Sequence, residues 1–275
     1  MLPFRSTLVA FAEAVSLLSK HRRLIVEMAR REVTERHAGQ LLGILWAFGQ
    51  PFFLISLYVV MFGFIFKARI GGTYELPLDY TAYILSGLIP WLAFQEYMNK
   101  ACSAVAANGA LVRQMVFPVV VLPMKSALPS LASMLLMLAL LALYVLFSAG
   151  RLHATYVLLP VLVAVQYLAM LGVGFTLSAV GVFVRDIKDL IALLGLAGTF
   201  LVPALYLPQW VPDRFLPLIY ANPFSYLVWC YQDVLYFGRM EHPVAWVVTP
   251  LLATVVFAAG YRIFSRLSPQ FGAWL

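Results

Sequence analysis

The sequence predicts an all-α membrane protein with six transmembrane helices, an N-terminal amphipathic interface helix and re-entrant helices before the last span. Of its 275 residues, 63% are hydrophobic and 11% are charged, whereas a soluble domain carries about 45–50% apolar and about 25% charged residues. Several apolar runs reach the roughly 20 residues that a helix needs to cross a bilayer. This composition excludes an ordinary soluble protein, and its high hydrophobicity excludes a disordered chain.

The net charge of +7 indicates contact with a membrane surface rather than with nucleic acid. Lys and Arg cluster at the ends of the apolar runs, where they suit the anionic cytoplasmic leaflet. Six spans with a cytoplasmic N-terminus place fourteen Lys and Arg inside and five outside. A seventh span at residues 220–237 would move Arg262 and Arg266 outside and Arg239 inside, which gives thirteen against six. The distribution therefore favours six spans with both termini in the cytoplasm.

Residues 1–37 predict a cytoplasmic amphipathic helix that lies along the membrane. Apolar residues recur there at three- and four-residue spacing, and further on the charges alternate in sign every four residues. The apolar positions are Leu8, Phe11, Val15 and Leu18, and the alternating ones are Arg23, Glu27, Arg31 and Glu35. Such a segment lies on a membrane rather than crossing it. It is either a solvated tail or a platform that docks a partner, and the pattern favours neither.

The apolar runs within residues 38–275 predict a single six-span domain. Pro51 is expected to kink the first span, and Pro90 is expected to interrupt the second. Gly172, Gly174 and Gly181 predict close packing of the fourth span against its neighbours. Glu96 and Lys100, four residues apart, predict an ion pair at the inner end of the second span. The spans are predicted at residues 41–66, 80–97, 119–147, 156–184, 190–207 and 243–264.

Residues 206–240 form an unusual segment, predicted to be a re-entrant gate at the periplasmic face. They contain four prolines and many aromatic residues, and polar residues at 222, 232 and 233 interrupt the apolar run. Non-helical backbone at membrane depth is tolerated only where it is buried in protein or lines a cavity. The segment therefore predicts two short helices that dip into the outer face and return.

The chain carries no sign of an ATPase or of a common hydrolase site. None of its five lysines follows a glycine, which excludes a Walker A phosphate loop. It contains neither HExxH nor GxSxG. Cys102 and Cys230 are interpreted as small buried hydrophobic residues. The sequence therefore predicts no catalytic residue, no metal site and no cofactor in this chain.

A few ionisable residues near the outer face keep a second hypothesis open. His153 and His242 are predicted on the same face and are interpreted as exposed residues at loop ends, with a metal or acid/base pair as the alternative. Asp233 is either on a re-entrant helix that faces water or an acceptor for a polyhydroxyl substrate. A membrane-embedded glycan or lipid transferase would use Asp233 together with Glu241 or His242 as acid and base.

Five short motifs occur in order and are spread along nearly the whole chain. The first is Leu42-Gly-Ile-Leu-Trp46 leading to Gln50-Pro51, and the second is Ser86-Gly-Leu-Ile-Pro90-Trp91. The third is the loop that contains Asn108, Leu111, Arg113 and Phe117-Pro118; the fourth and fifth are Phe183-Val-Arg185-Asp186 and Ala221-Asn222-Pro223. Together they resemble the permease subunits of ABC transporters that export polysaccharides and lipid-linked glycans, such as O-antigen, capsule and teichoic acid.

The resemblance implies a homodimer of permeases bound to two copies of a cytoplasmic ABC ATPase, which holds ATP and Mg. The expected cargo is a lipid-linked polysaccharide that crosses the bacterial inner membrane, with O-antigen first and capsule or teichoic acid as alternatives. A hydrophobic drug or a bare lipid is a further alternative. Residues 104–118 would form the coupling loop to the ATPase. Its candidate contacts are Asn108, Leu111, Arg113, Phe117 and Pro118.

The aromatic residues suggest how a glycan could be held, because rings stack on the apolar C–H faces of sugars and tolerate sliding. The substrate-channel candidates are Trp46, Phe52, Phe53, Tyr58 and Phe62. The outer-gate candidates are Tyr206, Trp210, Tyr220, Phe224, Tyr226, Trp229 and Asp233. The alternative is that Trp and Tyr gather at membrane interfaces whatever the cargo. That alternative is preferred for any single residue, whereas function is preferred for residues 206–237 as a set.

Overall fold

A computed structural model describes residues 3–36, 43–65, 78–113 and 117–275, and within these ranges all regular secondary structure is helical. The seven longest helices are α1 (Pro3–Arg36), α2 (Trp46–Tyr58), α3 (Tyr80–Ala104), α5 (Val121–Ala149), α6 (Leu159–Phe183), α7 (Ile187–Leu201) and α10 (Pro243–Leu267). The shorter ones are α4 (Gly109–Val112), α8 (Leu216–Ala221), α9 (Pro223–Gln232) and α11 (Phe271–Trp274). The π-helical segments Val59–Ile65 and Asp233–Phe237 extend α2 and α9.

Three helical segments of the described ranges are long and apolar enough to cross a membrane. They are Val121–Ala149, Ala154–Phe183 and Pro243–Trp274, and Phe48–Gly63 is a shorter apolar helix. The three segments coincide with the third, fourth and last predicted spans. The all-helical class is therefore confirmed, and the count of six spans stays a prediction.

Helix α3 runs without interruption through Pro90, so the predicted break in the second span is wrong. Proline removes one backbone N–H donor, but α3 is buried from Thr81 to Trp91, so its packing outweighs the lost helical hydrogen bond. The amide of Gln166 donates to the carbonyl oxygen of Pro90 at 2.9 Å, and the hydroxyl of Tyr97 donates to the carbonyl oxygen of Pro123 at 3.1 Å. Packing against α5 and α6 thus holds this helix straight through a residue that would break an isolated one.

The predicted glycine contacts of the fourth span are confirmed. Helix α6 packs most extensively against α10, and a Cβ atom on Gly172 would lie 2.5 Å from the backbone nitrogen of Phe257. A Cβ atom on Gly174 would collide with the ring of Tyr97, and one on Gly181 with the carbonyl oxygen of Cys102. Small residues at these positions let the backbones approach closely.

The second half of α1 packs against the bundle. Ile25 and Ala29 are buried one turn apart, and α1 contacts both α5 and α10. The predicted ladder of helical charges includes the pair between Arg31 and Glu35, whose N–O distance is 2.5 Å. The predicted apolar stripe falls on side chains outside the described part of the structure, namely those of Leu8, Phe11, Val15 and Leu18.

Residues 206–240 contain the two short helices α8 and α9, preceded by the 3-10 turns Pro208–Trp210 and Asp213–Phe215. The Asn222-Pro223 motif starts α9, because the side chain of Asn222 accepts a hydrogen bond of 3.1 Å from the N–H of Phe224. Asparagine is a favoured N-cap, and proline fits the first helical position, where no N–H is needed. Entry of these helices into the membrane stays a prediction.

Candidate functional site

The five channel candidates on the first predicted span divide into two groups. Phe53, Phe52 and Trp46 are 70%, 60% and 40% exposed along α2. Tyr58 and Phe62 are half-buried, and their rings stack at a centroid distance of 5.9 Å. Phe62 also meets the ring of Tyr80 at 6.0 Å. The structure therefore brings the first three residues to an open surface and uses the other two to fix the far end of α2.

The outer-gate candidates also divide into exposed rings and buried supports. Tyr220 and Tyr226 each lie 5.3 Å from the ring of Trp229, and the hydroxyl of Tyr226 donates to the carbonyl oxygen of Tyr220 at 2.8 Å. Tyr220 is exposed, whereas Trp229 is buried beneath the two tyrosines. These three residues form a compact aromatic cluster at the junction of α8 and α9.

Trp210 is the second exposed ring of this region. It is half exposed and lies 5.9 Å from the ring of Tyr80 at the start of α3. The hydroxyl of Tyr80 in turn donates to the carbonyl oxygen of Leu205 at 2.5 Å, and Tyr206 adds a hydroxyl that donates to the carbonyl oxygen of Leu201 at 3.3 Å. The structure thus ties the loop after α7 to α3 through aromatic side chains.

Phe224 points inward, where its ring packs at 5.0 Å from Trp91 and 4.9 Å from Phe94. The indole of Trp91 donates to the hydroxyl of Thr199 at 2.9 Å. The interior contacts of Phe224 join α9 to α3. Its place is therefore in the frame of the outer segment rather than on its surface.

Asp233 anchors the outer segment from within. Its side chain is 1% exposed, and its Oδ2 atom accepts hydrogen bonds from the backbone N–H of His242 at 3.1 Å and from the indole N–H of Trp246 at 2.9 Å. The Oδ1 atom lies 2.8 Å from Nδ1 of His242. Trp246 was not predicted as a site residue, because Asp233 lies thirteen residues before it, across a turn.

The two histidines lie at loop ends as predicted, His153 before the 3-10 segment Ala154–Leu158 and His242 before α10, but they are not exposed, so that part of the interpretation is wrong. The ring of His242 stacks on Trp229 with centroids 5.2 Å apart and planes 4° apart, and both histidines are half-buried. His153 packs against Gly238, which has a positive φ of 65°. Their neighbours are aromatic rings, a buried carboxylate and a turn glycine, features that are invisible in the local sequence.

The acid/base pair that a transferase would need does not form an open site. Asp233 is buried against its three contacts, and Glu241 is paired with Arg239, whose Nε lies 2.8 Å from the carboxylate. In the described ranges, no group of three or more His, Cys, Asp or Glu side chains could hold a metal ion. The geometry of Asp233 therefore supports a structural role.

The coupling candidates lie in a short helical connection between α3 and α5. The amide of Asn108 donates to the carbonyl oxygen of Ala104 at 2.8 Å and so closes the end of α3. Leu111 is half-buried, as are Phe117 and Pro118. Arg113 is exposed, and its guanidinium donates to the carbonyl oxygen of Leu275. Residues 114–116, which belong to the predicted coupling loop, lie outside the described residues.

The C-terminal residues support this connection, a feature that sequence analysis missed. Phe271 is fully buried, and the ring of Phe183 lies 6.0 Å from Phe271 and 5.3 Å from Trp274. These rings pack beneath the Phe183-Val-Arg185-Asp186 motif at the end of α6. Helix α11 therefore bridges the turn after α6 and the segment that contains Arg113.

Two ion pairs, one within α3 and one between α1 and α5, lie near the same end of the bundle. The predicted pair of Glu96 and Lys100 is confirmed, with a distance of 2.7 Å between Oε1 and Nζ. A second pair, which sequence analysis missed, joins Lys125 of α5 to Glu32 of α1 at 3.0 Å. It fixes the interface helix to the bundle.

Comparison with known proteins gives a consistent result along most of the chain. The family model described as ABC-2 type transporter matches residues 23–236. The O-antigen export system permease protein RfbA of Myxococcus xanthus is 26% identical over 258 residues, which cover 92% of this chain and 96% of that protein. The protein of the same name from Klebsiella pneumoniae is 22% identical over 251 residues, covering 90% and 93%. The polysialic acid transport protein KpsM of Escherichia coli is 20% identical over 238 residues, covering 85% and 89%.

Proposed function

The chain belongs to the ABC-2 type transporter family, and from this premise we propose that it is the membrane permease of an exporter for a lipid-linked polysaccharide. The observation that carries the proposal is its near full-length similarity to two O-antigen export permeases. The expected cargo is an O-antigen. Capsular polysaccharide is the alternative within the family, because the chain is also similar to a polysialic acid transport protein.

Energy for transport comes from a second protein. The chain has no Walker A motif, so a cytoplasmic ABC ATPase must bind ATP and Mg and hydrolyse the nucleotide. Two permeases and two ATPases form the complex in this proposal. The permease crosses the bacterial inner membrane six times, with both termini in the cytoplasm.

The coupling segment transmits the motion of the ATPase to the permease. Closure of the ATPase on nucleotide moves the residues that contact it, and the short helix α4 with Arg113 offers an exposed surface for that contact. Asn108 closes α3 and Phe117 packs on the bundle, so displacement of the segment reaches α3 and α5 directly. The interface helix α1 lies beside the ATPase and is joined to α5 through Glu32 and Lys125.

The polysaccharide passes along the exposed aromatic side of α2, between two copies of the chain. Trp46, Phe52 and Phe53 supply flat apolar surfaces for the C–H faces of successive sugars. Such stacking is weak for each ring and has no strict register, so a long polymer can slide. Tyr58 and Phe62 hold α2 in place against α3.

The outer gate consists of exposed rings on a fixed frame. The exposed rings of Trp210 and Tyr220 meet the emerging glycan together with the half-buried Tyr226, whereas Phe224 and Trp229 support them from the interior. Asp233 holds the frame through its contacts with His242 and Trp246. The gate can then change its position as a unit while its rings keep their mutual arrangement.

Co-expression with a cognate ABC ATPase from the same organism tests the division of labour. We expect the two proteins to copurify and the complex to hydrolyse ATP, whereas the chain alone hydrolyses none. A Walker A lysine substitution in the ATPase is the matched control and should abolish hydrolysis by the complex. ATP hydrolysis by the purified chain in isolation would contradict the proposal.

A further inference from the structure

A cavity of about 610 Å³ lies between α1, α2, α3 and α5, beside the end of α3 that leads into the coupling segment. Its volume is within the range of about 300–1,000 Å³ that is typical of ligand sites. Charged side chains line one end, namely Glu32, Glu96 and Lys100. Apolar side chains line the other end, among them Leu92 and Met137. Trp46 and Phe53 of the proposed glycan path line the α2 side of the cavity, so a molecule bound here lies beside that path.

The lining changes from polar to apolar along α3 and over one turn of α5. On α3, Leu92, Glu96 and Lys100 follow one another by one turn, and positions 92 and 100 are about 12 Å apart along the axis. On α5, Ser133 is followed after one turn by Met137. The polar end lies at the cytoplasmic leaflet in the six-span arrangement. Both the depth and the gradient match an amphiphile with its headgroup toward the cytoplasm.

The charges at the polar end match a headgroup that carries both signs. The Nζ atom of Lys100 lies 2.7 Å from Glu96 and donates to the hydroxyl of Ser130 at 3.3 Å. An ammonium has three N–H donors, so among the described residues one remains for a phosphate. One oxygen of Glu32 contacts Lys125 at 3.0 Å, and its other oxygen can accept from an ammonium.

We propose that this cavity binds one membrane phospholipid with an ethanolamine headgroup. Its phosphate accepts a hydrogen bond from Lys100, its ammonium donates to Glu32, and an acyl chain lies against Leu92 and Met137. A doubly charged diphosphate is disfavoured here, because two carboxylates line the same end. A choline headgroup fits less well, because its quaternary ammonium has no N–H donor. The bound lipid fills the space beneath α2 and holds that helix against α3 and α5.

The test uses the purified full chain and counts the phospholipid that it retains. The chain is exchanged into micelles that contain phosphatidylethanolamine, phosphatidylcholine or phosphatidylglycerol with the same acyl chains, and retained lipid is counted by native mass spectrometry. We expect about one phosphatidylethanolamine per chain and about tenfold weaker retention of the other two, which each lose a charge-assisted hydrogen bond. Equal retention of all three lipids would overturn the proposal.

Two substitutions on α5 separate the site from the general lipid surface. Ala132 lines the cavity, so Ala132→Phe fills it and should abolish retention. Ala139 is exposed on the same helix outside the cavity, and Ala139→Phe should leave retention unchanged. Lys100→Met should lower retention about tenfold. Retention by Ala132→Phe at the level of the unsubstituted chain would overturn the assignment to this cavity.

A diphosphate probe distinguishes this site from a cargo site. Farnesyl diphosphate is added to the chain loaded with phosphatidylethanolamine, and we expect no displacement. Displacement by farnesyl diphosphate at equal concentration would overturn the phospholipid assignment. The proposed function does not depend on this outcome, because copurification with the ATPase and ATP hydrolysis are measured separately.

Discussion

The Nδ1 atom of His242 lies 2.8 Å from the Oδ1 atom of Asp233, and the same imidazole ring stacks on Trp229. One buried carboxylate thereby joins the end of α9 to the start of α10 and fixes the ring that supports the outer aromatic cluster. A buried polar group of this kind is stabilising only while its partners remain in place.

Asp233→Asn should lower the stability of the chain. The substituted amide keeps one acceptor oxygen but turns an NH₂ group toward a former donor, which costs about 1–3 kcal/mol. Thermal unfolding of the purified chain in detergent measures the effect. Asp213→Asn is the matched control, because Asp213 is exposed, and it should leave the midpoint unchanged. Equal midpoints for the two variants would show that the buried contacts of Asp233 contribute nothing.

Trp210→Ala combined with Tyr220→Ala should reduce glycan export several-fold, because both exposed rings of the proposed gate are lost. Export is followed as the appearance of polysaccharide at the cell surface per unit of permease. Leu218→Ala removes an equally exposed apolar side chain from the same region and should leave export unchanged. The pair Trp210→Phe and Tyr220→Phe keeps both rings and should retain most of the export. Normal export by the double alanine variant would show that these rings do not form a gate for the glycan.

Glu32→Gln should destabilise the chain by about 1–3 kcal/mol, because it leaves the ammonium of Lys125 without its carboxylate in a largely buried position. The side chain of Lys125 is 11% exposed and that of Glu32 is 30% exposed, so solvent screens part of the cost of the unpaired charge. Glu35→Gln breaks an exposed pair with Arg31 and should have a much smaller effect, because solvent screens an exposed pair. Chemical unfolding of both variants gives the comparison.

Exchange of the two charges provides a second check on this pair. Glu32→Lys with Lys125→Glu restores opposite charges and should recover at least half of the lost stability. No recovery, together with equal effects of the Glu32 and Glu35 variants, would mean that the pair does not join α1 to α5 energetically.

Arg113→Ala should lower the amount of glycan exported per ATP hydrolysed. Arg113 is the exposed cation of the proposed coupling segment, and its contact with Leu275 holds that segment on α11. Export and ATP hydrolysis are measured in the same reconstituted complex. Arg266→Ala removes an exposed arginine from the end of α10 and should leave the ratio unchanged. If both variants exported the same amount of glycan per ATP hydrolysed, Arg113 would have no role in coupling.

The fold class followed from the sequence because bulk hydrophobicity and run length are local properties, and the Asn222-Pro223 helix start and the Glu96–Lys100 pair are equally local. The errors concern residues whose environment is set across the fold. Pro90 was expected to break a helix, but α3 is buried on both sides of it and packs against α5 and α6. The bond between Lys125 and Glu32 spans α5 and α1, and no sequence spacing indicates it.

ATP-driven export of a lipid-linked polysaccharide by this chain is tested most directly in proteoliposomes. They contain this chain, its ATPase and a lipid-linked O-antigen polysaccharide in the leaflet that faces the ATPase. A glycosidase on the other side reports how much glycan has crossed. We expect glycan to become accessible only when both proteins and hydrolysable ATP are present. Crossing without the ATPase, or a complex that hydrolyses ATP while no glycan crosses, would contradict this expectation.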